Sequence, residues 1–66
     1  MLANDPYVAV VVTLKGGRTE SGKMRRSEFE QLERAARAGE KRFFSLRDVT
    51  SRTQVCASQV AAIRRG

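Results

Sequence analysis

The segment GGRTESGK, residues 16–23, contains Gly17, four intervening residues, Gly22 and Lys23, which is the GxxxxGK spacing of a phosphate-cradling loop. Such a loop grips phosphates because a helix begins at its lysine, so that free amides and the positive helix end converge on the anion. In this chain the first helix-start signal is Ser27, beyond Lys23, and Met24 stands where a hydroxyl would hold magnesium. A βαβ nucleotide domain also needs several parallel strands with helical crossovers, more than 66 residues supply. The segment is therefore expected to be a hairpin turn with its return strand. Other chemistry is equally thin. Histidine is absent, so neither the single cysteine, Cys56, nor any serine has an imidazole base, and no metal-ligand spacing exists. Cys56 stands among Val55, Ala57 and Val60 and is expected to be an inert buried thiol. Glu28, Glu30, Glu33 and Glu40 belong to a helix surface or its exit rather than to a catalytic pair. The expectation is a non-enzymatic protein without cofactor or metal.

Charge is the stronger signal. Thirteen basic residues against seven acidic ones give a net charge of +6, and ten of the thirteen are arginines, whose planar fork suits phosphate and carboxylate. The cations gather at three places. Lys23, Arg25 and Arg26 precede the expected helix, Lys41 and Arg42 follow it, and Arg64 and Arg65 stand at the C-terminus. If the fold brings these clusters together they suit an acidic partner, nucleic acid first, with Tyr7, Phe43 and Gln59 as the candidates for contact with bases.

The elements that must position these residues follow from periodicity. One cysteine allows no internal disulfide, so a chain of 66 residues must be held by a small packed core, completed if necessary by a second copy. Residues 1–6 end in Asp5-Pro6 and are expected to be a flexible N-terminal arm, with residues 7–66 a single domain. Tyr7 to Leu14 alternates as a strand with two largely apolar faces, Val8, Val10, Val12 and Leu14 on one and Tyr7, Ala9, Val11 and Thr13 on the other. Gly16-Gly17 suits a two-residue hairpin turn, which would set Leu14 opposite Thr19 and Val12 opposite Ser21. The return strand to about Met24 is polar and is expected at a sheet edge. Ser27 with Glu30 forms a capping-box signal that starts a helix, Phe29, Leu32, Ala35 and Ala36 supply its apolar stripe, and Gly39 ends it. Glu30 with Arg34 and Glu33 with Arg37 stand at ion-pair spacing on its outside. Arg42 to Asp48 reads as a strand, VTSRT as a turn, and QVCASQVAAIRR as one returning strand or two short ones.

Two resemblances compete for the C-terminal third. Residues 45–66, SLRDVTSRTQVCASQVAAIRRG, resemble the helix-turn-helix of lac-repressor-type transcription factors, with Leu46, Asp48, Val49, Val55, Val60, Ile63 and Gly66 in register. Thr50, Gln54 and Cys56 depart from that pattern at the positions of the packing alanine, the turn glycine and the capping serine. That resemblance implies that Ser58 and Gln59 face the major groove and that Arg52, Arg64 and Arg65 meet phosphates. Val8 to Arg64, most clearly GEKRFFSLRD and VAAIR, is similar to small phage and prophage proteins of uncharacterised function, which implies a hairpin, a helix and a second hairpin.

The β-branched and aromatic density of residues 43–60 favours extended backbone, so the expected fold is α+β: a ββαββ domain with an antiparallel sheet and the helix on one face. The alternative is a β-hairpin followed by a three-helix helix-turn-helix. Two functions follow. One is a small basic module that binds nucleic acid. The other is a homo-oligomeric phage-type interaction protein that inhibits a host protein or sequesters an anionic ligand, its subunits meeting through Tyr7, Ala9, Val11 and Phe43. The N-terminus lacks the basic-then-apolar pattern of a secretory signal and no long apolar run is present, so a cytoplasmic protein without membrane association is expected.

Overall fold

The computed structural model describes residues 5–66. In chain order these form β1 (Tyr7–Leu14), β2 (Thr19–Arg25), α1 (Arg26–Ala38), β3 (Phe43–Arg47), β4 (Arg52–Cys56), a 3-10 turn (Ala57–Gln59) and β5 (Val60–Arg65). Neighbouring strands are antiparallel and their order across the sheet is β4-β3-β2-β1-β5. The fold is thus the expected small ββαββ arrangement, lengthened by a fifth strand that pairs with β1. The helix-turn-helix alternative does not form, because residues 45–66 run through β3, β4 and β5. Val49, which would have packed between two helices, is 96% exposed at the tip of the β3–β4 hairpin, and Val55 pairs with Phe44 inside the sheet.

The β1–β2 hairpin closes one residue away from its expected register. Thr13 faces Thr19, Val12 faces Glu20 and Val11 faces Ser21. Leu14 N–H donates to the Arg18 carbonyl at 2.7 Å, leaving a three-residue loop in which Gly17, at φ +88, supplies the left-handed residue. The shift decides which side of β2 is buried. Met24 enters the core beside Val8, and Lys23 goes outward. β2 is also the middle strand rather than an edge. Its polar residues are compatible with that position because an antiparallel sheet needs only one covered face.

The helix begins two residues earlier than the Ser27 signal. Arg25 is its N-cap residue, and Glu28 Oε1 accepts the Arg25 N–H at 3.2 Å. Ser27 does not cap; its own N–H and hydroxyl both donate to the Asp5 carboxylate, at 2.9 and 2.8 Å. Those bonds, with the charges of Arg25 and Arg26, hold the Asp5 carboxyl below its usual range. Of the arm at residues 1–6, Asp5 and Pro6 touch the helix start, Pro6 through its carbonyl to Arg26 N–H at 2.9 Å, and residues 1–4 lie outside the described residues. At the other end Gly39, at φ +68, closes the helix, its N–H donating to Ala36 O and that of Glu40 to Ala35 O. The expected pairs at Glu30–Arg34 and Glu33–Arg37 are replaced by Arg26–Glu30 at 3.7 Å.

The sheet is curled, and chain reach requires it. β4 and β5 lie at opposite edges, four strand spacings or roughly 19 Å apart in a flat sheet. Only Ala57–Gln59 join them, and four Cα steps reach about 14 Å at most. β2 and β3 pair at one position, Lys23↔Arg47, so the β3–β4 hairpin swings away from β2 and brings the two edges toward each other. On the concave side Phe29, Leu32 and Ala35 of the helix pack with Val10, Val12, Met24, Phe44, Leu46 and Val55. Ala57, fully buried, ties the crossover to this core, its N–H donating to the Arg42 carbonyl at 2.8 Å. A bulge at Ala61 then sets Thr13 against Ala62 but Leu14 against Val60, so that Val60 and Ile63, three apart, both face inward.

Candidate functional site

Strand alternation leaves a second row of side chains on the convex face, the side away from the helix. By register that face carries Tyr7, Ala9 and Val11 from β1, Lys23 and Arg25 from β2, Phe43 and Arg47 from β3, Arg52 and Cys56 from β4, and Arg64 from β5. No acidic residue occurs in these outward strand rows. Glu20 points to the concave side, where it holds Arg18 at 2.8 Å, and Glu28, Glu30 and Glu33 ride on the helix. The outward strand rows thus carry cations without acids, whereas the concave and helix side carries both signs, Arg18 with Glu20 and Arg26 with Glu30 among them.

Arg52 faces Arg47, and Arg47 faces Lys23, so three exposed cations occupy consecutive register positions across three strands. Neighbouring strands lie about 4.8 Å apart, and like charges directly opposite one another destabilise a sheet by roughly 0.2–1 kcal/mol per pair. An anion laid across the row would relieve that repulsion. Beside it, Arg25 lies 4.9 Å from the Tyr7 ring centroid and Arg47 lies 5.8 Å from it. Arg47 Nη1 also donates to the Tyr7 hydroxyl at 3.0 Å. The ring is thereby fixed, and the arginines are held outward on an aromatic support.

Where β2 and β3 part, the β3–β4 tip and the convex face of β1 and β2 border an open groove of about 460 Å³. Ala9 and Val11 contribute to its floor, Tyr7 and Val49 to its walls, and Ser21, Lys23, Arg47 and Asp48 to its polar side. Asp48 orders the tip: its N–H donates to Ser51 O at 2.8 Å, and its carboxylate accepts the Val49 N–H at 2.8 Å.

The three expected cation clusters do not converge as one surface. Lys23, Arg25, Arg52 and Arg64 share the convex face, whereas Arg26 pairs with Glu30 at the helix start. Arg42 stacks 5.0 Å from the Phe44 centroid and donates to Gln31 at 3.1 Å, and Arg65 lies 6.0 Å from the Phe29 centroid, both on the concave side. Lys41 is an exposed loop residue whose charge reaches Cys56. Gln59 ends the 3-10 turn and gives its carbonyl to Lys15 N–H at 2.8 Å; it stands on no recognition helix. Tyr7, Ala9 and Val11 adjoin the cation row, but Phe43, 68% exposed, lies four residues along β3 from Arg47, roughly 13 Å away.

Arg47 is the residue that cluster counting misses. Alternation within RFFSLRD already sets it on the face opposite Phe44 and Leu46, but only strand pairing brings it between Lys23 and Arg52. Cys56 also differs from expectation. It is half-buried and outward-facing rather than a core thiol. Ser58 Oγ lies 3.1 Å from its sulfur, and hydrogen bonding from the Ser58 side chain and backbone, aided by Lys41, lowers its pKa.

Among the described residues no group of three or more His, Cys, Asp or Glu side chains comes together to hold a metal ion, and no helix is long and apolar enough to cross a membrane. Comparison of the chain with protein-family models, curated proteins and solved structures finds no match.

Proposed function

We propose that the chain is a small non-enzymatic module that binds nucleic acid on the convex face of its sheet. The observation that carries this reading is the Arg52–Arg47–Lys23 row, three like charges in direct cross-strand register with no acid among the outward strand residues. Such a row costs folding stability, and a polyanion laid along it offsets that cost. Arg25 and Arg64 widen the same positive surface, and the Tyr7 ring holds two of the arginines outward. Phosphate neutralisation releases counterions, so affinity must fall steeply as salt rises. Fluorescence anisotropy with labelled DNA and RNA across a salt series tests it. The expected result is a linear fall of log K with log salt concentration; no complex with either polymer at low salt refutes the reading.

A second reading, self-association, is favoured by the exposure of Phe43 at 68% and Tyr7 at 43%. Face-to-face pairing would set one cation row near another, so a dimer would have to form at the Phe43 end of β3. Light scattering over a concentration series decides it, a strict monomer excluding this reading.

A further inference from the structure

The groove beside the cation row distinguishes between forms of nucleic acid. We infer that it seats an unpaired base of a single-stranded nucleic acid, with the flanking phosphates on Lys23, Arg47 and Arg52; this rests on the proposed function above. A row of cations alone attracts duplex and single strand alike, because both present phosphates. The groove adds something only an unstacked base can use. Its floor at Ala9 and Val11 and its wall at Val49 are apolar, and Tyr7 offers an aromatic body within the same space. Lys23 and Arg47 line the same groove beside these apolar residues, the combination that a polyanion with apolar bases requires. In a duplex the bases are paired inside the helix, and reading them takes a helix or ribbon that enters a groove. The cationic face carries neither, since α1 packs on the opposite side of the sheet.

The position of Val49 supports the same conclusion. It is 96% exposed, and the Asp48 hydrogen bonds, both within residues 48–51, order the turn that presents it beside Lys23 and Arg47 at the groove. Tyr7 is likewise restrained by Arg47 through its hydroxyl, so its ring is presented without the loss of freedom that a mobile side chain would suffer.

The test compares labelled oligothymidylate with a mixed-sequence duplex of equal length at fixed salt, using the parent chain and the Ala9→Leu variant, whose added side chain occupies the groove floor. Ala9 is exposed, so the substitution leaves the core alone; Val49→Ser, which strips the apolar wall, serves as an independent variant should Ala9→Leu not fold. One seated base is worth about ten-fold in affinity. The expected result is single-strand binding tighter than duplex binding by about that factor, with the preference abolished in either variant and the salt slope unchanged. Equal binding of both polymers, or a preference that survives both variants, overturns the base seat while leaving the electrostatic reading intact. Failure to bind either polymer overturns both.

Discussion

Gly22→Ala tests the geometry on which the cation row depends. A Cβ at position 22 would stand 2.9 Å from both Leu46 Cβ and the Arg47 carbonyl oxygen, and 3.2 Å from Arg47 N. Carbon contacts are comfortable at about 3.5–4.0 Å, so β3 would have to retreat by roughly half an ångström or more. The retreat falls at Lys23↔Arg47, where β2 and β3 pair. Overpacking of this kind costs about 1–3 kcal/mol. The ordinary gain on replacing glycine by alanine within a strand, about 0.5–1 kcal/mol, acts the other way. Because the 2.9 Å contacts are to a backbone oxygen and a Cβ, which cannot swing aside, the upper part of the overpacking range applies and the net expectation is a loss of about 1–2 kcal/mol. That is a large share of the total for 66 residues, whose stability is of the order of 3–10 kcal/mol. With a urea dependence of about 1 kcal/mol per molar, the unfolding midpoint should fall by about 1–2 M. Gly16 and Gly17 provide controls in the same segment. Nothing lies within 4 Å of a Cβ at Gly16 and its φ is not positive, so Gly16→Ala should change stability by no more than about 0.5 kcal/mol. Gly17 has equal space but φ +88, so Gly17→Ala should cost about 1–2 kcal/mol through backbone strain alone. A Gly22→Ala midpoint at or above that of the parent would refute the close passage of β3, and with it the juxtaposition of Arg47 with Lys23.

Three further outcomes are expected. Arg47→Ala should shallow the salt dependence of nucleic-acid binding by about one unit, whereas Arg42→Ala, on the concave side, should leave the slope unchanged; anisotropy titrations in rising salt read both. Asp5→Asn should lower the urea midpoint at neutral pH. Because the folded Asp5 pKa lies below the unfolded value, its contribution is present above about pH 4 and is lost as pH falls through the folded value, so the midpoints of parent and variant should converge in acid. Ser58→Ala should move the pH profile of Cys56 alkylation upward, since the bonds that favour the thiolate are weakened; an unmoved profile would place the cause elsewhere.

Local chemistry made much of the architecture legible. The alternating Tyr7–Leu14 strand, the stripe Phe29, Leu32 and Ala35, and the left-handed Gly39 all follow from period and backbone preference, which neighbouring residues settle among themselves. The same reasoning explained why GxxxxGK is no phosphate loop. Gly17 turns a hairpin, Gly22 admits a neighbouring strand, and Lys23 points outward. Ser27 misled because its hydroxyl has a better partner in Asp5, twenty-two residues away, than in its own helix.

What sequence alone determined is therefore the set of elements and the charge they carry. Which cations meet was decided by tertiary structure. Register is a property of two strands: the three-residue loop at Gly17 turned Lys23 outward, and the single bridge to β3 set Arg47 beside it, then Arg52 beyond. The short crossover at Ala57–Gln59 forced the sheet to curl, and strand alternation, with Arg42 in phase with Phe44 and Arg65 paired to Val10, left those two arginines on the other side of the molecule from that row. Long-range pairing depends on loop geometry and on small gaps such as Gly22, whose consequences appear only when the distant strand arrives.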